Sequence, residues 1–460
     1  MKWTISSRNG FSPHFILKIL LIAAIILSSA MALTSNFNRH PDEVHHLAAA
    51  QYYTNHFFPP EIGDPAVRDS YSIFGVSYLN YHWAEYFFAG KFMLLISPVI
   101  QDPLIAARLF SVFLFAALAI FFIYRSKNEN HEFIIPCFLL ITPQVWYIVG
   151  YVNNDAFALF VSLIAAYQIA NPKSLLNKFL ASEAFSANLS GGMCFGILAG
   201  LLLVVKPNYW TFLVFIALWL LLAFPFKARI LKKFAFMVLI AAAVLTFRIG
   251  LDLYVNGETN FVGFSYVNKF FGNFETTGKL LAYQEEIAEY SRRPSTLEND
   301  LMNSDPDLRL REKGLSLTEL FTEKKWHESS FKSFLGVYGY MNIWASGRYY
   351  LPFILLYLAF GLYAILAVIR SRDKKSIVQL AVTAFGCFLT VFVSVMLSWI
   401  YAYQPQGRYL FPVIGMVGLF IYTNRRHLNN LIAHIFIIST FLFSIYSFIF
   451  WGLRMINVVS

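Results

Sequence analysis

Apolar residues gather into long runs separated by short polar stretches, and these runs set the expected architecture. Stretches long enough to cross a bilayer fall near 15–33, 103–124, 132–150, 155–171, 191–206, 209–226, 234–254, 349–370, 377–400, 409–424 and 431–453. A further stretch, near 81–99, is apolar and aromatic but carries His82, Glu85 and Lys91. Charge placement decides how to treat it. If 81–99 does not cross, the basic clusters at Arg125 and Lys127, Lys173 and Lys178, Lys227 to Lys233, Arg370 to Lys375, and Arg425 with Arg426 all share the side of the N-terminus. Basic loops collect on the cytoplasmic side of a membrane. The pattern therefore predicts an all-α polytopic membrane protein of about eleven transmembrane helices. Its N-terminus is cytoplasmic, and 81–99 is an interfacial helix in the first outer loop. The first run follows a basic start, Lys2, Arg8 and Lys18, without a small-residue cleavage site after it, so it reads as a retained span.

Composition sharpens this picture. Charged residues are only 13% of the 460, about half the share a soluble chain carries. The net charge of +10 comes from Lys and Arg between apolar runs, so it reports topology rather than a nucleic-acid partner. Cys137, Cys194 and Cys387 lie inside apolar runs without paired or metal-type spacing, which argues against a disulfide framework or a zinc site. The chain divides into an N-terminal membrane module, 1–254, whose first outer loop is 34–102; an outer loop or cap, 255–348; and C-terminal membrane helices, 349–460. Within the cap, Tyr283 to Tyr290 reads as a polar helix and Asn303-Ser304-Asp305-Pro306-Asp307 as a turn. Asn188-Leu189-Ser190 matches a glycosylation acceptor but falls on the cytoplasmic side.

Candidate chemistry begins with Pro41-Asp42-Glu43-Val44-His45-His46, just after the first span. Pro41 suits the start of a helix, where its missing N–H leaves nothing unpaired. Asp42, His45 and His46, at i, i+3 and i+4, would share one face of that helix. Asp42 and Glu43 could simply complement the helix dipole, or one of them could be a catalytic carboxylate at the outer face. Other polar groups collect at the same ends of the spans: His82, Glu85, Asn153, Asn154, Asp155, Lys206, Arg248, Asp252, Arg348 and Arg408. Ionisable groups at membrane depth are costly and mark function. Simpler roles exist for several of them. Arg248 and Asp252 could pair at i, i+4, Lys206 and Arg348 could anchor at the interface, and Asn154 and Asp155 could cap a span. Arg408, in Gln406-Gly407-Arg408-Tyr409, is the strongest anion-binding candidate. Carboxylates with Arg and Lys around one outer cavity suit a lipid-phosphate donor. Cations hold the anionic leaving group, and a carboxylate takes the proton from an attacking hydroxyl.

Four local patterns carry a resemblance to a known class. They are Pro41-Asp42-Glu43-Val44-His45-His46, Ala106-Ala107-Arg108-Leu109-Phe110-Ser111, Tyr151-Val152-Asn153-Asn154-Asp155-Ala156 and Gln406-Gly407-Arg408-Tyr409-Leu410-Phe411-Pro412. In order and common side, the chain resembles GT-C superfamily glycosyltransferases, the class of protein O-mannosyltransferases and aminoarabinose transferases. It is most similar to a bacterial branch with a Pro-Asp-Glu-x-x-His motif. The resemblance implies a GT-C-like fold in a bacterial inner membrane, a polyprenyl-phosphate sugar donor, and Asp42 as the base, with Glu43 as a second catalytic carboxylate. The residues gathered at the span ends supply the rest of the expected site: Arg408, Lys206, Arg348 and Arg248 for phosphate binding, and His45, His46, His82, Asn154 and Asp155 for substrate binding. A divalent metal, Mg or Mn, would be held by Asp42 and His46, with no organic cofactor. The acceptor could be a glycan, a lipid or a protein; the sugar and the oligomeric state stay open. Asn80-Tyr81-His82-Trp83-Ala84-Glu85-Tyr86 lacks the prolines common in the class. Two rival readings remain: a multispan transporter or flippase of a lipid-linked or anionic substrate, which typically shows broken helices in two related halves, and a glycan polymerase or ligase using a diphosphate-linked donor.

Overall fold

The computed structural model describes residues 13–81, 83–125, 142–224, 227–259, 267–268, 270–271 and 278–459. Within them the chain is predominantly helical. Helices α1 (Pro13–Thr34), α2 (Glu43–Asn55), α3 (Tyr78–Tyr81), α4 (Trp83–Ile96) and α5 (Pro103–Arg125) come first. They are followed by α6 (Pro143–Val149), α7 (Asn154–Ala170), α8 (Leu175–Ala181), α9 (Leu189–Val205), α10 (Trp210–Ala223) and α11 (Ala228–Asn256). Short helices α12 (Lys279–Ile287), α13 (Pro294–Asn299), α14 (Leu317–Thr322) and α15 (Trp326–Phe334) lead to the long C-terminal ones. Those are α16 (Gly347–Ser371), α17 (Lys374–Ile400), α18 (Pro412–Thr423) and α19 (Asn430–Ser447), the last continuing into a π-helical turn, Phe448–Leu453.

Six helices among the described residues are long and apolar enough to cross a membrane: α1, α5, α11, α16, α17 and α19 with its π turn. The count becomes seven if α6 and α7, bent by 118°, form one broken span. This is fewer than the eleven apolar stretches of the sequence, and the difference has a physical cause. The stretches 191–206, 209–226 and 409–424 form helices of only 17, 14 and 12 residues. Proline marks two of the breaks: Pro207 follows α9 with Lys206 extended before it, and Pro412, lacking an N–H, opens α18. Cys137 and part of the stretch 132–150 lie outside the described residues.

Close packing of the short helices depends on glycine. Gly192, Gly196 and Gly200 form a stripe on α9 that lies against α8 and α11. A Cβ on Gly196 would come within 2.8 Å of the Met237 carbonyl, and one on Gly200 within 2.7 Å of the Val244 Cβ. Small residues at this spacing let two backbones approach closely.

Residues 278–346 fold over the segment between α1 and α5. The Glu289 N–H donates to the Ile73 carbonyl at 3.2 Å, the Gln284 amide to the Phe74 carbonyl at 3.1 Å, and the Arg292 guanidinium lies 4.6 Å from the Phe74 ring centre. A bridge between Leu308 and Ala402, and the Arg309 N–H donating to the Tyr401 carbonyl at 2.8 Å, tie the same segment to the end of α17. The segment closes with an antiparallel pair, Val337–Tyr338 and Ile343–Trp344, with Tyr338 opposite Ile343.

Candidate functional site

Four interruptions of the helices meet at one cavity of about 1060 Å³. The α1–α2 junction supplies Pro41, Asp42 and His46, and the α6–α7 break supplies Asn154. The α9–α10 break supplies Lys206, Pro207 and Asn208, and the α17–α18 break supplies Gln404, Gln406, Arg408 and Tyr409. The covering segment adds Arg292, Arg309 and Tyr340, and one face of α17 adds Thr390, Ser394 and Ser398. Irregular backbone in an apolar protein needs buried partners or a cavity to line, and here it has both.

Asp42 occupies the N-cap position of α2 with φ 57° and ψ 14° and makes no cap hydrogen bond. Asp tolerates the left-handed region better than most residues. Its carboxylate accepts the Tyr78 hydroxyl at 3.1 Å. His46 is buried; its ring stacks 4.2 Å from that of Tyr78, and its Nδ1 lies 2.6 Å from the Tyr86 hydroxyl. Asp42 thus stands on a ladder of Tyr78, His46 and Tyr86. His45 turns the other way, its Nδ1 3.0 Å from the Asp69 carbonyl, and does not line the cavity. The expected common face of Asp42, His45 and His46 is therefore corrected. The helix starts at Glu43 rather than Pro41, which puts Asp42 outside the helical period.

Glu43 has a different task. It is fully buried and holds Arg108 in a two-pronged pair, Nε to Oε1 at 2.7 Å and Nη2 to Oε2 at 2.8 Å. The Arg108 guanidinium also donates to the Ala32, Ser35 and Asn36 carbonyls, and the Asn38 N–H donates to Glu43. Glu43 does not line the cavity, so its geometry is that of a brace for the α1–α2 junction. His40 completes the brace, 2.9 Å from the Ser35 hydroxyl and 3.1 Å from that of Tyr147. Burial, with Arg108 nearby, holds its imidazole well below the usual range, and so neutral.

The cationic wall is assembled around Asp155. Asn153 caps α7 by accepting from the Asp155 and Ala156 N–H groups, which fixes Asp155 in the first turn. Asp155, fully buried, pairs with Lys206 and stands 3.6 Å from Arg408 Nη1. Lys206 also donates to Asn154 Oδ1 at 3.1 Å. Two cations share one carboxylate, leaving positive charge in excess on the part of the cavity wall that Lys206 and Arg408 line. Glu85 is buried close by, and burial and Asp155 push its carboxyl well above the ordinary range against the pull of Lys206.

The other predicted phosphate ligands lie elsewhere. Arg248 pairs with Asp252 and donates to the Asn80 carbonyl in a buried cluster away from the cavity wall. The i, i+4 pairing open to Arg248 and Asp252 in the sequence is thus the one formed on α11, and it consumes the charge. Arg348 is exposed at the start of α16 and does not line the cavity. His82 lies outside the described residues. Among the described residues no group of three or more His, Cys, Asp or Glu side chains is arranged to hold a metal. His46 is engaged in the aromatic ladder, so Asp42 is the carboxylate available to a hard cation. One carboxylate with substrate phosphate and water is a donor set that Mg or Mn accepts.

Tyr78, Tyr86, Arg108, Asn208 and Tyr409 build the site although no role was read for them from the sequence. Arg108 carried the clearest signal, a charge inside an apolar span. No protein-family model, no curated protein and no solved structure matches this chain.

Proposed function

We propose that this chain is a membrane glycosyltransferase of the GT-C kind that moves a sugar from a polyprenyl-phosphate donor to a hydroxyl acceptor. The observation that carries the reading is that Asp42 and the pair Arg408 and Lys206 line one cavity. In the reaction Asp42 accepts the proton of the acceptor hydroxyl as its oxygen bonds to the sugar carbon. The bond from that carbon to the phosphate oxygen breaks, and the charge left on the prenyl phosphate is taken up by Arg408 and Lys206. Asn154 and Asp155 act through Lys206 and Arg408, holding them in place. A bound divalent metal would be held by Asp42 with the donor phosphate and would further neutralise the leaving group. The acceptor is a glycan, lipid or protein hydroxyl.

The proposed setting is a bacterial inner membrane, with the cavity on the outer side, the N-terminus inside, and the short helices completing about eleven crossings. Single cysteines near 60, near 300 and at 229 test this orientation. The first two should react with an impermeant reagent in intact cells and the third should not. Labelling at 229 would reverse the assignment.

One observation favours a second reading. The helices break where the polar residues lie, as in transporters whose half-helices surround a substrate. The fate of the sugar–phosphate bond separates the two. Purified protein in liposomes with a labelled polyprenyl-phosphate sugar should release free prenyl phosphate and transfer the label to acceptor. Movement of intact donor between leaflets without cleavage would favour a flippase. Activity only with diphosphate-linked oligosaccharides would favour a polymerase or ligase.

A further inference from the structure

Lys206 and Asn208 reach the cavity from the same helix break, on either side of Pro207. The Asn208 Nδ2 faces the backbone carbonyl of Tyr409 at 3.5 Å, an orientation in which the nitrogen rather than the oxygen meets that acceptor. Its Oδ1 is buried and accepts no hydrogen bond from the described residues. Arg408 Nε, one residue before Tyr409, is likewise buried without a partner among them. An unpaired acceptor and an unpaired donor thus flank Tyr409 within the wall read above as the phosphate site.

A phosphate answers only half of this arrangement. Its oxygens accept from Arg408 and Lys206, but an ionised phosphate offers no hydrogen to the Asn208 oxygen. A hydroxyl does. For one ligand to satisfy both, its hydroxyl must lie within a few bonds of its phosphate, as on the sugar carbon next to the one bearing the phosphate. We propose that Asn208 selects glycosyl phosphates with a free hydroxyl beside the phosphate-bearing carbon, accepting that hydroxyl while Arg408 and Lys206 hold the phosphate. The inference rests on the reading of Arg408 and Lys206 as phosphate ligands. It narrows the donor to ordinary hexoses and pentoses against 2-deoxy sugars. Asn208 would then be a specificity residue, in direct contact with the donor.

Calorimetric titration of the purified full chain tests this. The probes are inorganic phosphate, mannose, glucose and galactose 1-phosphates, and the 2-deoxyglucose and 2-deoxygalactose 1-phosphates. At least one hydroxylated sugar should bind about 10- to 100-fold more tightly than its 2-deoxy counterpart, because the deoxy compound leaves the buried oxygen unpaired. Asn208→Ala should erase that difference while leaving the affinity for inorganic phosphate unchanged, which also shows that the variant is folded. Arg408→Lys should weaken every phosphate alike. Binding of inorganic phosphate with equal affinities for hydroxylated and deoxy sugars in the unmodified protein would overturn the role of Asn208 alone. Failure of every phosphate to bind would overturn the anion site, and this inference with it.

Discussion

Asp42→Asn should leave the protein folded and slow sugar transfer by about 100- to 10,000-fold, the usual cost of losing a general base. The substitution suits this position. Asn adopts the left-handed backbone seen at φ 57° as readily as Asp does. Its side-chain oxygen can still accept the Tyr78 hydroxyl. What disappears is the capacity to take a proton. A carboxylate that served only the helix dipole would give a different result, a loss of well under 2 kcal/mol of stability and near-normal turnover. The measurement is turnover with a polyprenyl-phosphate donor beside the melting temperature of the same preparation. Normal turnover would remove Asp42 from the chemistry.

Arg108→Met should be the most destabilising single change at the α1–α2 junction. Glu43 and Arg108 are 0% and 1% exposed, and the guanidinium also satisfies three backbone carbonyls. Removing one partner leaves a buried carboxylate uncompensated, which typically costs about 3–5 kcal/mol. Replacing both, as Arg108→Met with Glu43→Leu, should recover part of that loss, because apolar groups no longer require a counter-charge. Thermal unfolding in detergent reads both variants. A single variant as stable as the parent would show that the junction is held by packing rather than by this pair. Glu43→Gln should also act through stability, in contrast to Asp42→Asn.

Asp42 and Arg408 were legible because each is a charge at the end of an apolar run, where burial without purpose is costly. The grouping around Asp42 was only half legible. A helix beginning at Pro41 would have aligned Asp42 with His45 and His46, but the left-handed residue at 42 starts the helical period two residues later, at Glu43. Charge type alone also could not separate Arg408 from Arg248. Spacing did separate them: Asp252, four residues along α11, pairs with Arg248 as its position suggested, while Arg408 faces the cavity. The Arg108–Glu43 pair crosses 65 residues, and the Asn208–Tyr409 contact crosses 201. Local periodicity carries no information at such separations. The broken helices were visible as prolines at 207 and 412, but length and hydropathy counted each half as a full crossing.

A bound glycosyl phosphate should lie between Asp42 and the cations Arg408 and Lys206. The slowed Asp42→Asn variant offers a direct view, since it should hold its donor long enough to be imaged. A cryo-electron microscopy map of that variant with a polyprenyl-phosphate sugar should place the phosphate against Arg408 and Lys206 and the phosphate-bearing sugar carbon towards residue 42. Donor density at Arg248 or Arg348, with the cavity occupied by nothing but solvent, would rule out Asp42, Arg408 and Lys206 as the donor site.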